Sequence, residues 1–174
     1  MGMEIGILIL RLVVGLLFFS HGTQKLFGWF GGSALVGTFG MVDRLRFRPK
    51  FLWGLGVALG ETVGGALVVL GLLTPLGSIS IIAVMLVATF AVHWKNGIWN
   101  TKGGYEFPVT NIAAALAVAG IGPGRYSLDA LLGIRLPEPQ TFILFGFLAL
   151  LTVILGFATR RAAEPAVASK RQTA

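Results

Sequence analysis

The 174-residue chain contains no cysteine and few charged residues. The lack of thiols excludes disulfide exchange, thiolate catalysis, iron–sulfur ligation and cysteine-bound zinc. Charged residues make up 12% of the chain and hydrophobic residues 55%, whereas soluble domains carry about 25% charged residues. This composition excludes a soluble globular domain and a disordered chain. It predicts one membrane domain that crosses the bilayer several times.

Acidic residues are scarce, since seven Asp and Glu stand against 14 Lys and Arg, giving a net charge of +7. The cations gather in one loop, at Arg44, Arg46, Arg48 and Lys50, and in the C-terminal segment, at Arg160, Arg161, Lys170 and Arg171. Such clusters are typical of the cytoplasmic segments of membrane proteins. We therefore expect the lipid bilayer as a partner and no nucleic acid.

Five apolar stretches reach or approach the 17–25 residues that a membrane span needs. They cover residues 5–27, 52–73, 76–94, 107–121 and 141–158, and the fourth is the shortest. Five spans place both basic segments in the cytoplasm if the N-terminus lies outside. The sequence thus predicts a multi-pass protein of the cell membrane. It also predicts a short surface helix at 128–132 and a disordered, basic cytoplasmic tail at 159–174.

Glycine recurs at four-residue spacing in the second stretch, at Gly56, Gly60 and Gly64, with Gly65 beside them. Small residues in this pattern let a second helix approach closely within a membrane. We expect the glycines to serve helix packing.

Four ionisable residues lie inside the apolar stretches, namely Arg11, His21, Glu61 and His93. Insertion scales show that a charged residue at the centre of a bilayer costs at least about 2.5–3.5 kcal/mol. Depths from a helical rise of about 1.5 Å per residue make an Arg11–Glu61 pair geometrically possible. Alternatively, Arg11 extends to the outer interface, and Glu61 pairs with a histidine.

A second level of polar groups is expected near the cytoplasmic face. His21, His93 and Asn111 reach a similar depth on three different spans. Lys25 follows His21 by one turn on the same helix face and could instead extend to the interface. Either histidine could be an interhelical hydrogen bonder. No metal site is predicted, because the histidines and Glu61 have no metal-ligand spacing.

Ordered motifs over residues 5–133 make the chain resemble the DoxX family of membrane proteins. The motifs are Arg11-Leu12, Gly15-Leu16-Leu17-Phe18, His21-Gly22, Lys25-Leu26-Phe27-Gly28, Glu61, Gly64-Gly65, Leu70-Gly71-Leu72, Thr74-Pro75, His93, Asn96-Gly97, Gly103-Gly104-Tyr105-Glu106-Phe107 and Gly122-Pro123-Gly124-Arg125-Tyr126-Ser127-Leu128-Asp129. The resemblance implies an all-α polytopic bundle with a four-helix core. The apolar stretch 141–158 departs from this pattern and predicts a fifth, C-terminal transmembrane helix.

The resemblance also implies an oxidoreductase, or a membrane subunit of one. Some family members are linked to thiosulfate oxidation with quinone as acceptor, and others to the detoxification of oxidants or quinones. We expect Glu61, His21 and His93 to act catalytically, because His and Glu can carry protons near neutral pH. The residues expected to hold the cofactor are Arg11, Lys25, Asn111, Tyr105 and Glu106.

The cofactor expected from this hypothesis is a quinone, since the sequence has no fingerprint for flavin, nicotinamide or haem. Electrons would then come from a soluble redox partner on the cytoplasmic side. An alternative is a membrane anchor that assembles soluble redox or stress-response enzymes through the basic segments. A further alternative is a proton-linked transporter with Glu61 as the coupling site.

Overall fold

The structure, a computed structural model, describes residues 2–162, and these fold into helices without a strand. Seven α-helices follow one another in the described residues: α1 (Gly2–Phe27), α2 (Ala34–Arg44), α3 (Lys50–Leu70), α4 (Thr74–Ala88), α5 (Glu106–Ile121), α6 (Leu128–Leu132) and α7 (Gln140–Ala158). A π-helical turn (Thr89–His93) and a 3-10 turn (Trp94–Asn96) extend α4. The expected all-α membrane bundle is confirmed.

Four segments are long and apolar enough to cross a membrane, namely Gly2–Phe27, Lys50–Leu70, Thr74–Asn96 and Gln140–Ala158. Helix α5 is apolar but has only 16 residues. Each of the five predicted apolar stretches therefore forms a helix, and the helix predicted at 128–132 is α6. The predicted tail at 159–174, including Lys170 and Arg171, lies outside the described residues beyond 162. The cytoplasmic placement of the basic segments stays a prediction.

Helix α2 lies in the segment that the sequence assigned to a loop. Its eleven residues include glycines and β-branched residues, which have low helix propensity. The helix is held by tertiary contact, because buried Thr38 donates a hydrogen bond to the carbonyl of Lys25 on α1 (3.1 Å). Tertiary packing thus overrides weak local propensity.

The long helices pack through glycines. A Cβ at Gly65 would lie 2.4 Å from the backbone nitrogen of Phe19, so α1 and α3 touch backbone to backbone. A Cβ at Gly64 would lie 3.1 Å from the carbonyl oxygen of Gly77 on α4. The predicted packing role therefore holds for Gly64 and Gly65, whereas a Cβ at Gly56 would meet nothing within 4 Å.

The N-terminal half of α1 lies beside the end of α5, where Glu4 accepts a hydrogen bond from the backbone nitrogen of Arg125 (2.6 Å). At the other end of the bundle, the backbone nitrogen of Arg161 donates to the carbonyl of Arg46 (3.0 Å). Successive long helices thus alternate in direction. We call these the Arg11 end and the basic end of the bundle.

Buried Arg11 binds four backbone carbonyls at the Arg11 end. Its Nε donates to Val68 (3.0 Å) and its Nη2 to Val69 (2.9 Å), in the last turn of α3. Its Nη1 donates to Pro123 (2.6 Å) and Tyr126 (2.9 Å), beyond α5. A cation there is favourable, because the carbonyls at a helix C-terminus carry partial negative charge. The predicted Arg11–Glu61 pair is wrong, whereas the extension of Arg11 toward the outer interface stays a prediction.

Asp129 of α6 complements this contact. Its carboxylate accepts hydrogen bonds from the backbone nitrogens of Leu73 (2.9 Å) and Thr74 (3.2 Å), at the start of α4. A carboxylate at a helix N-terminus stabilises the unpaired N–H groups there. Arg11 therefore stabilises the end of α3, and Asp129 stabilises the start of α4.

Candidate functional site

A cavity of about 270 Å³ opens within the bundle toward the basic end. Its walls are mostly apolar and come from α1, the end of α2, α3, the end of α4 and the start of α5; they include Phe18, Met41, Val57, Met85 and Phe107. The ionisable residues that line it are His21, Lys25, Glu61 and His93. Small-molecule sites commonly combine apolar walls with a few converging polar groups.

The polar centre of the cavity is an ion pair between Lys25 Nζ on α1 and Glu61 Oε2 on α3. The Glu61 side chain is only 4% exposed and that of Lys25 is 22% exposed. Glu61 lies about 16 Å along α3 from its first residue, where a carboxylate without a partner would be costly. The expectation that Glu61 faces inward is confirmed, but its partner is Lys25.

Lys25 lies in the last turn of α1, and its ammonium group points inward to the buried Glu61 rather than outward to the membrane interface. The interfacial alternative for this side chain is therefore wrong. His21 lies one turn earlier on the same face, as its spacing predicts. The His21 ring meets the ring of Phe107 edge to face, with centroids 6.3 Å apart.

His21 has unused hydrogen-bonding capacity. Within the described part of the chain, no protein group forms a hydrogen bond with its ring nitrogens. The edge contact with Phe107 positions the ring at the cavity wall. Its nitrogens are therefore the groups that a ligand in the cavity can bind.

His93 belongs to the π-helical turn that ends α4. Such turns often occur at functional sites. Its Nδ1 lies 2.7 Å from the carbonyl oxygen of Gly103. A carbonyl only accepts, so Nδ1 carries the hydrogen. The Nε2 of a neutral His93 is then a free acceptor, and it becomes a donor when the ring is protonated.

Two other predicted cofactor residues organise the loop between α4 and α5. Tyr105 stacks on Trp94 with ring centroids 5.2 Å apart. Glu106 accepts a hydrogen bond from the backbone nitrogen of Asn100 (2.9 Å). Neither residue lines the cavity. They hold the loop whose Gly103 carbonyl fixes His93.

Asn111 is buried in α5, where its amide donates to the carbonyl of Phe107 (2.9 Å). It does not line the cavity, and Arg11 lies at the opposite end of the bundle. The structure thus brings together His21, Lys25, Glu61 and His93, and it places the other four predicted site residues elsewhere. Catalytic and cofactor-binding roles for all eight stay predictions.

Sequence reasoning missed the wall formed by α2 and the following connection. Met41, Val42, Leu45 and Phe47 line the cavity from this side. The sequence feature that could have revealed this wall is the helical spacing of Met41, Val42 and Leu45, which places them on one apolar helix face. Trp53 of α3 also lines the cavity.

The arrangement combines a carboxylate, an ammonium group and two imidazoles inside an apolar wall. Imidazole and carboxylate groups can donate, accept and transfer protons. Within residues 2–162, no group of three or more His, Asp or Glu side chains could hold a metal ion. The cavity therefore suits a small, largely apolar molecule that carries hydrogen-bonding oxygens.

Comparisons with known proteins found one family model and similar proteins from two bacteria. The family model described as DoxX matches residues 6–94, which contain all four ionisable residues of the cavity. A protein of Bacillus subtilis (strain 168) named "Putative oxidoreductase CatD" is 32% identical over 126 residues, covering 72% of this chain and 86% of that protein. An uncharacterized protein of Haemophilus influenzae (strain ATCC 51907 / DSM 11121 / KW20 / Rd) is 28% identical over 139 residues, covering 75% and 85%. No solved structure matches the chain.

Proposed function

Because the chain belongs to the DoxX family, we propose that it is a membrane component of an oxidoreductase whose cavity binds the head group of a quinone. The observation that carries the proposal is the convergence of His21, His93 and the Lys25–Glu61 pair in one apolar cavity. A membrane protein with an oxidoreductase-like role is the coarser statement that the relatives support. The quinone and its reaction are the finer, proposed part.

The cavity residues fit a quinone head chemically. The ring needs apolar walls, which Phe18 and Phe107 provide, and its carbonyl oxygens need hydrogen-bond donors. Protonated His93 offers Nε2–H while Gly103 fixes its other nitrogen. His21 offers a ring nitrogen with no other described protein partner. The two histidines are thus the proposed ligands of the carbonyl oxygens.

Reduction of a quinone to a quinol takes two electrons and two protons. In the proposed site, the histidines supply protons to the oxygens that they bind, because a protonated imidazole donates from both ring nitrogens. The Lys25–Glu61 ion pair lies beside the two histidines in the same cavity. We assign the electrons to a soluble redox protein that docks at the basic end.

Binding of a short-chain quinone tests the proposal directly. Purified protein in nanodiscs is titrated with decylubiquinone or menadione, and quenching of tryptophan fluorescence is followed, since Trp53 lines the cavity. The variants are His21→Phe, His93→Gln and Glu61→Gln. Each removes a hydrogen bond or charge at the site, so we expect each to raise the Kd by about tenfold, equivalent to about 1.4 kcal/mol.

Tyr105→Phe is the matched control, because Tyr105 contacts Trp94 outside the cavity and should leave the Kd unchanged. Trp53→Phe should remove most of the quenching and thereby locate the bound ring. Thermal unfolding of each variant checks that it is folded. Absence of quinone binding to the wild type, or a Kd equal to the wild-type value in all three folded site variants, would overturn the proposal.

A further inference from the structure

A second pocket, of about 550 Å³, lies at the basic end and is lined almost entirely by cations. The lining residues are Arg44, Arg46, Lys95, Arg160 and Arg161, with Leu45 and Phe157. Among residues 2–162, no acidic residue lines it. We call it the basic pocket, and none of its cations lines the proposed quinone cavity.

Three distant segments meet to form this pocket: the end of α2, the extension of α4 and the end of α7. Arg160 is fixed in place, because its Nε donates to the carbonyl of Leu45 (3.0 Å). Its guanidinium lies 5.1 Å from the ring centroid of Phe47 and 5.4 Å from that of Phe157. The charge is therefore held in a defined position.

Arg46 and Arg161 are joined through the backbone, since the nitrogen of Arg161 donates to the carbonyl of Arg46 (3.0 Å). Arg46 has a φ of 68°, in the left-handed region that non-glycine residues seldom adopt. The fold thus brings like charges together despite their repulsion. A bound anion would relieve that repulsion.

The neighbouring cations between α2 and α3, Arg48 and Lys50, have an acidic partner. Arg48 Nη1 lies 2.5 Å from Asp43 Oδ1, and Lys50 Nζ lies 3.8 Å from Asp43 Oδ2. For the five cations of the basic pocket, residues 2–162 provide no ion-pair partner. The positive charge is therefore concentrated in the pocket rather than spread evenly over the end of the bundle.

The position of the pocket selects the kind of anion. It lies where two membrane-spanning segments end, at the level of lipid head groups, and basic pockets between such helices bind anionic head groups. Helix α7, which ends at the pocket, presents an apolar surface with exposed Leu151, Ile154 and Leu155, which can contact acyl chains. A soluble acidic protein would not use that apolar face.

We propose that the basic pocket binds the phosphate groups of an anionic phospholipid, with the acyl chains lying along α7. Five cations favour a head group with two phosphates over one with a single phosphate. The bound lipid would join α7 to α2 and α4. It would also stabilise the wall of the neighbouring cavity, since Leu45 lines both spaces.

The test compares two double variants that remove equal charge from the same end. Arg46→Gln with Arg161→Gln changes the basic pocket, whereas Arg48→Gln with Lys50→Gln changes the cations paired with Asp43. Binding of cardiolipin to detergent-purified protein is measured by native mass spectrometry. We expect the pocket variant to lose affinity by about tenfold and the control variant by less than about twofold.

Inorganic pyrophosphate is added as a soluble competitor that has two phosphate groups but no acyl chains. It should compete weakly, because it lacks the acyl chains that α7 would contact. Equal competition by pyrophosphate would assign the pocket to a soluble phosphate ligand and overturn the lipid proposal. Equal loss of cardiolipin in both double variants, or no binding to the wild type, would overturn it as well. Thermal unfolding confirms that each variant is folded, and quinone binding is measured separately.

Discussion

The two halves of α1 each place one cation inside the bundle, Arg11 in the first half and Lys25 in the second, but the cations have different partners. Arg11 uses four of its five N–H donors on backbone carbonyls, two from the end of α3 and two from the segment after α5. Lys25 faces Glu61 beside two histidines in a cavity. A polar group whose bonds are all made within the protein serves the fold. Polar groups that face a cavity and have unused hydrogen-bonding capacity are candidates for binding a ligand.

This comparison predicts that Arg11→Leu is the most destabilising change. It removes a donor from four carbonyls, of which Val68 keeps the backbone N–H of Gly71 (3.2 Å), and each buried carbonyl left without a partner costs about 1–3 kcal/mol. We expect a loss of at least about 3 kcal/mol, with Arg11→Lys intermediate because an ammonium cannot reach all four carbonyls. Equilibrium unfolding in mixed micelles measures the loss.

Arg125→Leu is the matched control for this change, because Arg125 is exposed at the same end. It should alter the free energy of unfolding by no more than about 0.5 kcal/mol. Wild-type stability in Arg11→Leu would show that the carbonyls are satisfied in another way, and the contrast between the two ends would fail.

A pair of glycines sharpens the comparison. Gly71 (φ 63°) and Gly97 (φ 75°) both have left-handed backbone, but a Cβ at Gly71 would lie 2.3 Å from Arg11 Nη2, whereas one at Gly97 meets nothing within 4 Å. Backbone strain and the displaced guanidinium should make Gly71→Ala cost about 2–4 kcal/mol. Gly97→Ala should cost about 1 kcal/mol. Equal losses on unfolding would mean that Arg11 adapts.

The Lys25–Glu61 pair should have a smaller effect than Arg11, since Lys25 is partly exposed. We expect Lys25→Met and Glu61→Leu each to cost about 1–3 kcal/mol, because each leaves one charge unpaired. The double variant should cost less than the sum, with a coupling of about 1–2 kcal/mol. The Arg11/Glu61 cycle should be additive within about 0.5 kcal/mol. Coupling in that second cycle would contradict the observed pairing.

The smallest effect on stability is expected for His21→Phe. No described hydrogen bond is lost, and a phenyl ring retains the edge contact with Phe107. The free energy of unfolding should change by less than about 0.5 kcal/mol, although quinone binding weakens. A large loss of stability would assign His21 to the fold and remove it from the proposed site.

Hydropathy and charge predicted the larger features of this protein. Hydropathy and charge summed over neighbouring residues predict the five apolar stretches, the short helix α6 and the cations at one end of the bundle. These features therefore need no tertiary information. The inward position of Glu61 followed in the same way, because a carboxylate that far from both faces must avoid lipid.

Helix α2 and the cavity wall that it forms were not predictable by hydropathy alone. This segment has weak helix propensity and only modest apolar character, so its helix depends on packing against α1 and α3. The basic pocket also needed the fold, since its cations come from segments more than 100 residues apart.

The composition and order of residues thus determined by themselves that the chain is an all-helical membrane protein with one basic end. Only the tertiary structure decided which polar groups meet. Helical rise gives the depth of a residue but not the direction in which a neighbouring helix presents its side chains. Glu61 therefore seemed within reach of Arg11 by depth, whereas helix packing and the length of each side chain brought Lys25 to Glu61 and Arg11 to the carbonyls of α3.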